Sequence, residues 1–323
     1  MKVGTVGLCR VGGHRLARWM RSFGRHSSSG FGVPSFRRAA WAWLVLVGLI
    51  GGLIGASPAA VAEQPAQAQP LPRAHAHNDY LHQRPLYDAV AEGFTSVEAD
   101  VYPWPGSSDL PVAHTPFEIR PERTLRSLYL DPLRQLVAAN GGTVIPGYPG
   151  EFQLLIEIKW DAPAAYRALD ALLREPAYAG LFTRYVNGQV VRGPVTISLL
   201  TAFTSATELH TTMAAQNTRS AFRVGAPEDL GTGIPTELMP EVNADWTKLF
   251  RWKGIGPMPD AERRTLTDLV DRAHREGKRI RFWATPDQPG AARQTLWDAQ
   301  YTAGVDRLST DDLPGLAEYL RSR

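Results

Sequence analysis

Cysteine is all but missing: among 323 residues the only one is Cys9. Beyond the N-terminal stretch there is then no thiol for a disulfide, a zinc–thiolate site or nucleophilic catalysis, and stability rests on the core alone. Acidic residues are missing from positions 1–62, which hold Lys2, Arg10, Arg15, Arg18, Arg21, Arg25, Arg37 and Arg38. Setting these eight aside from the 35 basic residues leaves 27 against 32 acidic ones, a net of −5. The sequence pI of about 9.0 therefore belongs to the leader and implies no nucleic-acid partner. No Gly-rich phosphate loop, internal repeat or low-complexity tract interrupts the rest of the chain.

The leader has a pattern of its own. Arg37 and Arg38 precede the apolar run AAWAWLVLVGLIGGLIGA (39–56), and Ala60-Val61-Ala62 closes it with a small-x-small pattern. A charged region, an apolar region and an A-x-A site predict a secretory signal peptide cut after Ala62. The expected location is secreted; without cleavage, the apolar run would act as a membrane anchor. The expected organisation is a leader over 1–62, a Pro/Gln/Ala linker over 63–72, and one domain over 73–323. The 261 residues after Ala62 suffice for one large domain.

From residue 73 strand-like and helix-like segments alternate. RAHAHN, TSVEADVY (95–102), FQLLIEIK (152–159), PVTISLL (194–200), AFRVG (221–225), TKLFRW (247–252), RIRFWA (279–284) and VDRLST (305–310) read as strands. Helical patterns lie between them, among them 85–93, 131–140, 162–175 and 260–277, and Asn187-Gly188 marks a hairpin turn. About eight strands alternating with helices in this length predict a parallel α/β fold, a (β/α)8 TIM barrel. In such barrels the chemistry sits where strands end.

The polar residues at those ends are His75 and His77, Glu98 and Asp100, His114, Glu157 and Lys159, and Trp283. Residues two apart on a strand share a face, so Glu98 and Asp100 point the same way, with Ser96, and so do Glu157 and Lys159. Three carboxylates at one barrel mouth repel unless a cation lies among them. All-oxygen ligation suits one hard divalent cation, Mg²⁺ or Ca²⁺, rather than zinc. His82, His210 and His274 read as surface or structural residues. Lys159 is either a partner for Glu157 or a substrate contact, and Trp283 is either core or a substrate contact.

HAHNDYLHQRPLYDAVAEGFTSVEADV, then LPVAH, LLIEIK, FWATPD and GVDRLSTDDL, resemble the glycerophosphodiester phosphodiesterase/phosphatidylinositol-specific phospholipase C superfamily of TIM barrels. The likeness spans about residues 73–320 and is greatest to the branch containing altered-inheritance-of-mitochondria protein 6-like sequences. The resemblance implies His77 and His114 as the acid/base pair and Glu98, Asp100 and Glu157 as ligands of one divalent cation. It also implies Lys159 on a phosphate oxygen, with Asn78 and Trp283 as further substrate contacts and His75 in a supporting place behind His77. Thr115 and Pro116 follow His114 where the superfamily has Asp, and His77-Asn78-Asp79 stands where phosphodiesterases have His-Arg-Gly.

The expected activity is hydrolysis of a small-molecule or lipid-headgroup phosphodiester, with contact to a membrane surface open and no nucleic acid involved. Two other readings stand beside it. His75-Ala76-His77 is similar to the metal-binding start of amidohydrolase and PHP-type phosphoesterase barrels, but the late strands lack the further histidines such sites need. A non-catalytic barrel that binds without cleaving is the other.

Overall fold

The computed structural model describes residues 68–202 and 206–323. The expected leader and signal peptide lie outside them, as does most of the expected linker. Eight parallel strands close a barrel in sequential order: β1 (Leu71–Ala76), β2 (Phe94–Val101), β3 (Phe152–Ile158), β4 (Val195–Thr201), β5 (Ala221–Gly225), β6 (Glu241–Asp245), β7 (Arg279–Trp283) and β8 (Arg307–Thr310). Helices follow the strands: α1 (Tyr87–Ala91), α2 (Asp131–Ala139), α3 (Ala162–Leu173), α4 (Ala206–Ala214), α5 (Trp246–Leu249), α6 (Asp260–Arg275), α7 (Ala291–Ala303) and α8 (Leu313–Arg321). The fold is a (β/α)8 TIM barrel. No helix among the described residues is long and apolar enough to cross a membrane.

Each strand sorts its residues by alternation. In β2, Val97, Ala99 and Val101 are fully buried in the apolar layer shared with the helices, while Ser96, Glu98 and Asp100 take the inner face. Branched apolar residues dominate most barrel interiors. Here the interior is polar. Gln153 donates to Ser198 and to Glu241 at 2.9 Å each, and Arg279 reaches Glu241 at 3.2 Å and Glu151 at 2.6 Å.

Two boundaries differ from the sequence reading. β1 begins at Leu71, inside the expected linker, because Leu71 is buried and its N–H meets the Gly93 carbonyl at 2.7 Å. The strand expected over 247–252 is instead the short helix α5 followed by loop, and the sixth barrel strand is Glu241–Asp245. Asp245 caps α5 by accepting from the Thr247 N–H at 3.0 Å. The apolar Leu249, Phe250 and Trp252 make TKLFRW read as a strand, whereas EVNAD hides one because its inner face carries Glu241 and Asn243. The small hairpin, Arg184–Val186 with Gln189–Val191, turns at Asn187-Gly188 as expected and pairs with Thr218–Arg219.

Candidate active site

The C-terminal ends of β1, β2 and β3 bring the candidate residues together. One carboxylate oxygen from each of Glu98, Asp100 and Glu157 lies within 4.8 Å of the other two. Two cations of the protein sit against this cluster. The Lys159 ammonium bridges Asp100 at 2.9 Å and Glu157 at 2.7 Å, and the Arg281 guanidinium binds Glu98 at 2.7 Å. Part of the repulsion expected among the carboxylates is thus relieved by the chain itself.

The electrostatics follow from this placement. Burial raises the Glu157 carboxyl, the nearby charges of Asp100 and Glu98 add to it, and its pKa is pushed up to about 7. Burial acts the same way on Glu98, but the Arg281 guanidinium beside it outweighs burial and holds Glu98 well below the usual carboxylate range. Lys159 loses solvation too, yet Asp100 and Glu157 keep its pKa above the ordinary value.

These residues fit a hard divalent cation. The donors are all carboxylate oxygens, and Oδ1 of Asp100 is buried without a hydrogen-bond partner. Oδ2 of the same residue is already engaged by Lys159, Tyr80 and His114.

His77 and His114 are held alike. Nδ1 of His77 donates to Asp311 at 2.9 Å, and Nδ1 of His114 donates to Asp100 at 3.0 Å. Among the described residues neither Nε2 has a hydrogen-bond partner, so each ring has one nitrogen tethered and one available. Burial pulls the His77 pKa down, but the hydrogen bond to Asp311 and the charge of Glu98 prevail and raise it. Asp100 and the Tyr80 hydroxyl, 3.1 Å from His114, orient its ring from outside the local sequence.

His75 is different. It is fully buried, and its pKa falls to about 3, chiefly by burial and then by the charge of Arg281. The neutral ring uses both nitrogens. Arg281 donates to Nε2, Nδ1 donates to Ser96 at 2.6 Å, and Ser96 donates to Gln153 at 2.7 Å. A histidine so engaged has no lone pair for a metal, and the metal-competent cluster among the described residues contains no histidine. The amidohydrolase-like reading loses its first ligand. His75 supports Arg281 and Glu98 beneath the site.

Asn78 does not stand free for substrate. Its backbone is left-handed (φ 48°), a region Asn tolerates; its amide N–H points at Asp311 from 3.5 Å, beside His77, and its Oδ1 accepts from the Tyr80 hydroxyl at 2.9 Å. Trp283 ends β7 and is partly exposed at the mouth. His210 contacts Arg223 and His274 contacts Asp306, both away from the cluster.

Residues 65–145 match the family model described as the AIM6-like phosphodiesterase domain. Altered inheritance of mitochondria protein 6 of Eremothecium gossypii is 29% identical over 282 residues, 80% of this chain and 72% of that protein. Its homolog in Arthroderma benhamiae is 27% identical over 272 residues, covering 77% of this chain and 84% of the other. The chain resembles the AIM6-like phosphodiesterase-domain proteins. Among solved structures, a phosphodiesterase of Oleispira antarctica in complex with the product sn-glycerol-3-phosphate aligns over 78% of this chain and 98% of that one. It does so at 15% identity with a TM-score of 0.43.

Sequence reasoning missed Asp311, Tyr80 and Arg281. Asp311 directly follows the last strand, and that strand-end position is a usable signal. Arg281 alternates with Arg279 and Trp283 in RIRFW, which puts it on the inner face. Nothing in the sequence marked Tyr80.

Proposed function

We propose that this chain is an exported, divalent-cation-dependent phosphodiesterase that hydrolyses a glycerophosphodiester or phospholipid-headgroup phosphodiester. One observation carries the reading. The three-carboxylate cluster adjoins two histidines, each tethered through Nδ1 to a carboxylate with Nε2 open. The match to a phosphodiesterase domain model supports it.

Glu98, Asp100 and Glu157 would hold one Mg²⁺ or Ca²⁺, which when bound neutralises charge on the phosphoryl oxygens. Lys159 adds a positive charge beside the same oxygens. One histidine takes a proton through Nε2 from water or from a neighbouring substrate hydroxyl, and the other delivers a proton to the leaving oxygen. Asp311 and Asp100 fix the tautomers that make Nε2 the working atom of each ring. Export rests on the Arg37-Arg38, 39–56 and Ala60-Val61-Ala62 pattern, with the barrel beginning at Leu71.

The test is hydrolysis of a phosphodiester panel by the purified protein, with EDTA and then with Mg²⁺ or Ca²⁺ restored. Cleavage of at least one glycerophosphodiester or phospholipid that EDTA stops and the cation restores is expected. Cleavage of none, or cleavage indifferent to EDTA, overturns the proposal.

A further inference from the structure

At the N-terminal end of the barrel, opposite the candidate active site, β1 and β2 slip register between Leu71 and His75, so their ladder is open where the two strands begin. Arg307, the first residue of β8, reaches into that opening. Its Nη1 donates to the Pro72 carbonyl at 2.7 Å and to the Thr95 hydroxyl at 2.9 Å. Only 4% of the residue is exposed, and its Nε is buried with no hydrogen-bond partner. Arg223, Arg281 and Arg293, buried to a similar degree, each hold a carboxylate at 2.7–2.8 Å. Arg219, which holds none, is stacked over the Tyr185 ring at 4.0 Å. Among the described residues Arg307 has neither a carboxylate in contact nor a ring. Burial lowers its pKa and the charge of Arg279 adds to that, against the opposing pull of Glu241 and Glu151.

A cavity of about 370 Å³ opens against this guanidinium, lined also by Arg73, Tyr148, Glu151, Arg279 and Asp306. The two carboxylates in its wall are already engaged. Glu151 accepts from Arg279 at 2.6 Å, and Asp306 accepts from the Ile280 N–H and from His274 at 2.9 Å each. Arg73 holds only the carbonyls of Val305 and Tyr301. Three guanidinium charges thus face two carboxylates, and two of the three have no counter-charge in contact. Tyr148 adds a phenol to the same wall, its ring lying so close over Gly150 that a Cβ there would fall 2.2 Å from Cζ. A single water could meet the orphaned Nε but would supply no negative charge. Arginine forks match phosphate oxygens in both geometry and charge. At roughly 30 Å³ per water the cavity has the volume of about twelve waters, room for a phosphate and a small group attached to it.

We propose that this cavity binds a phosphate group, free or as a small phosphomonoester, through Arg307, Arg73 and the Tyr148 hydroxyl. The site is separate from the candidate active site and does not rest on the phosphodiesterase reading. Its occupant ties the start of β8 to the start of β1, the two strands whose far ends lead to Asp311 and His77.

The experiment titrates inorganic phosphate, methyl phosphate, acetate and chloride, at one ionic strength and in EDTA, into the full chain, and reads the thermal midpoint and hydrogen–deuterium exchange. Phosphate is expected to saturate, to raise the midpoint, and to protect peptides covering 71–76, 144–151 and 305–310. Acetate is expected to act more weakly and chloride not at all. Methyl phosphate binding more tightly than phosphate marks a monoester as the occupant, and the reverse order marks the free ion. Arg307→Met is expected to abolish the effect. Because that side chain also bridges β1 and β2, Arg73→Gln and Tyr148→Phe, on partly exposed residues, keep the test open if Arg307→Met does not fold. Arg73→Gln is expected to weaken phosphate about tenfold or more and Tyr148→Phe by less. Lys159→Met, at the opposite end of the barrel, is expected to leave phosphate binding intact. No saturable phosphate effect, an effect matched by chloride, or one lost in Lys159→Met and kept in Arg73→Gln overturns the proposal.

Discussion

Asp311 accepts a hydrogen bond from Nδ1 of His77 at 2.9 Å, across 234 positions of sequence. The contact closes the barrel chemically as well as topologically, since it joins the loop after β8 to the end of β1. It also settles which nitrogen of His77 faces outward. Burial lowers the His77 pKa and Asp311 is the main influence that raises it. Asp311→Asn is therefore expected to cut turnover about 10²-fold or more and to move the His77 limb of the pH–rate profile to lower pH. Cation affinity stays near the wild-type value. A profile that does not move makes Asp311 a surface neighbour only.

His77→Ala and His114→Ala are each expected to lose about 10²–10⁴-fold in turnover, and the double variant little more than either, because both act in one displacement. His75→Ala belongs to another category. Its ring lies buried between Ser96, Glu98 and Arg281, so its removal is expected to lower stability first, by about 2–4 kcal/mol through the cavity and unpaired groups left behind. Denaturation midpoints and turnover, measured together for all four variants, separate the two categories. A stable, inactive His75→Ala contradicts the assignment.

Relief of repulsion suggests that removing one carboxylate stabilises the metal-free protein. The structure reverses this for Glu98. Arg281 is 1% exposed, and Glu98 is the carboxylate it pairs with. Glu98→Gln leaves a buried guanidinium without its counter-charge and is expected to cost about 3–5 kcal/mol. Asp100→Asn still leaves Lys159 paired with Glu157 and is expected to cost less. Urea unfolding in EDTA compares the two. Equal or greater stability of Glu98→Gln over wild type would show that Arg281 is otherwise satisfied.

Asp79 gives a stability prediction independent of catalysis. Its carboxylate accepts from the Leu86 N–H at 2.6 Å and from the Tyr129 hydroxyl at 2.9 Å. Leu86 sits at φ 67°, ψ −52°, with the Tyr87 N–H bonded to the Pro85 carbonyl at 2.8 Å: a strained, positive-φ γ-turn clamped by Asp79. Burial pushes Asp79 up from 3.8 to about 7. A folded-state pKa above the unfolded value means the contribution is whole below pH 4 and is lost as pH rises through 7. Asp79→Asn keeps an acceptor for both donors and carries no charge, but its amide N–H2 falls where Oδ1 has no partner, so above pH 7 it is expected to be the more stable protein by about 1–3 kcal/mol. Wild type and variant converge in acid. A wild-type protein whose stability does not fall, relative to Asp79→Asn, between pH 4 and 8 contradicts this account.

The parts visible in the sequence were those set by local period. Alternation in SVEADV and LLIEIK put Glu98, Asp100 and Glu157 on inner faces, and barrel geometry carried them to one mouth. The polar interior was harder to read. EVNAD looks like loop because its inward residues are Glu241 and Asn243, whose partners Gln153, Arg279 and Arg281 lie on other strands. The tether on His114 was hidden for a similar reason. Local sequence shows only Thr115 after His114, and the ring is oriented by Asp100 and Tyr80, 14 and 34 positions away.

The most direct test of the account is to titrate Mg²⁺ and Ca²⁺ calorimetrically into wild type, Asp100→Asn and His77→Ala, and to measure phosphodiester turnover on the same preparations. Wild type is expected to bind one cation and turn over. Asp100→Asn should lose both binding and turnover while remaining folded, and His77→Ala should keep the cation and lose turnover. Binding unchanged in Asp100→Asn, or full turnover in either variant, contradicts it. A wild-type protein that binds the cation and cleaves no phosphodiester would be a barrel that binds its ligand without catalysis.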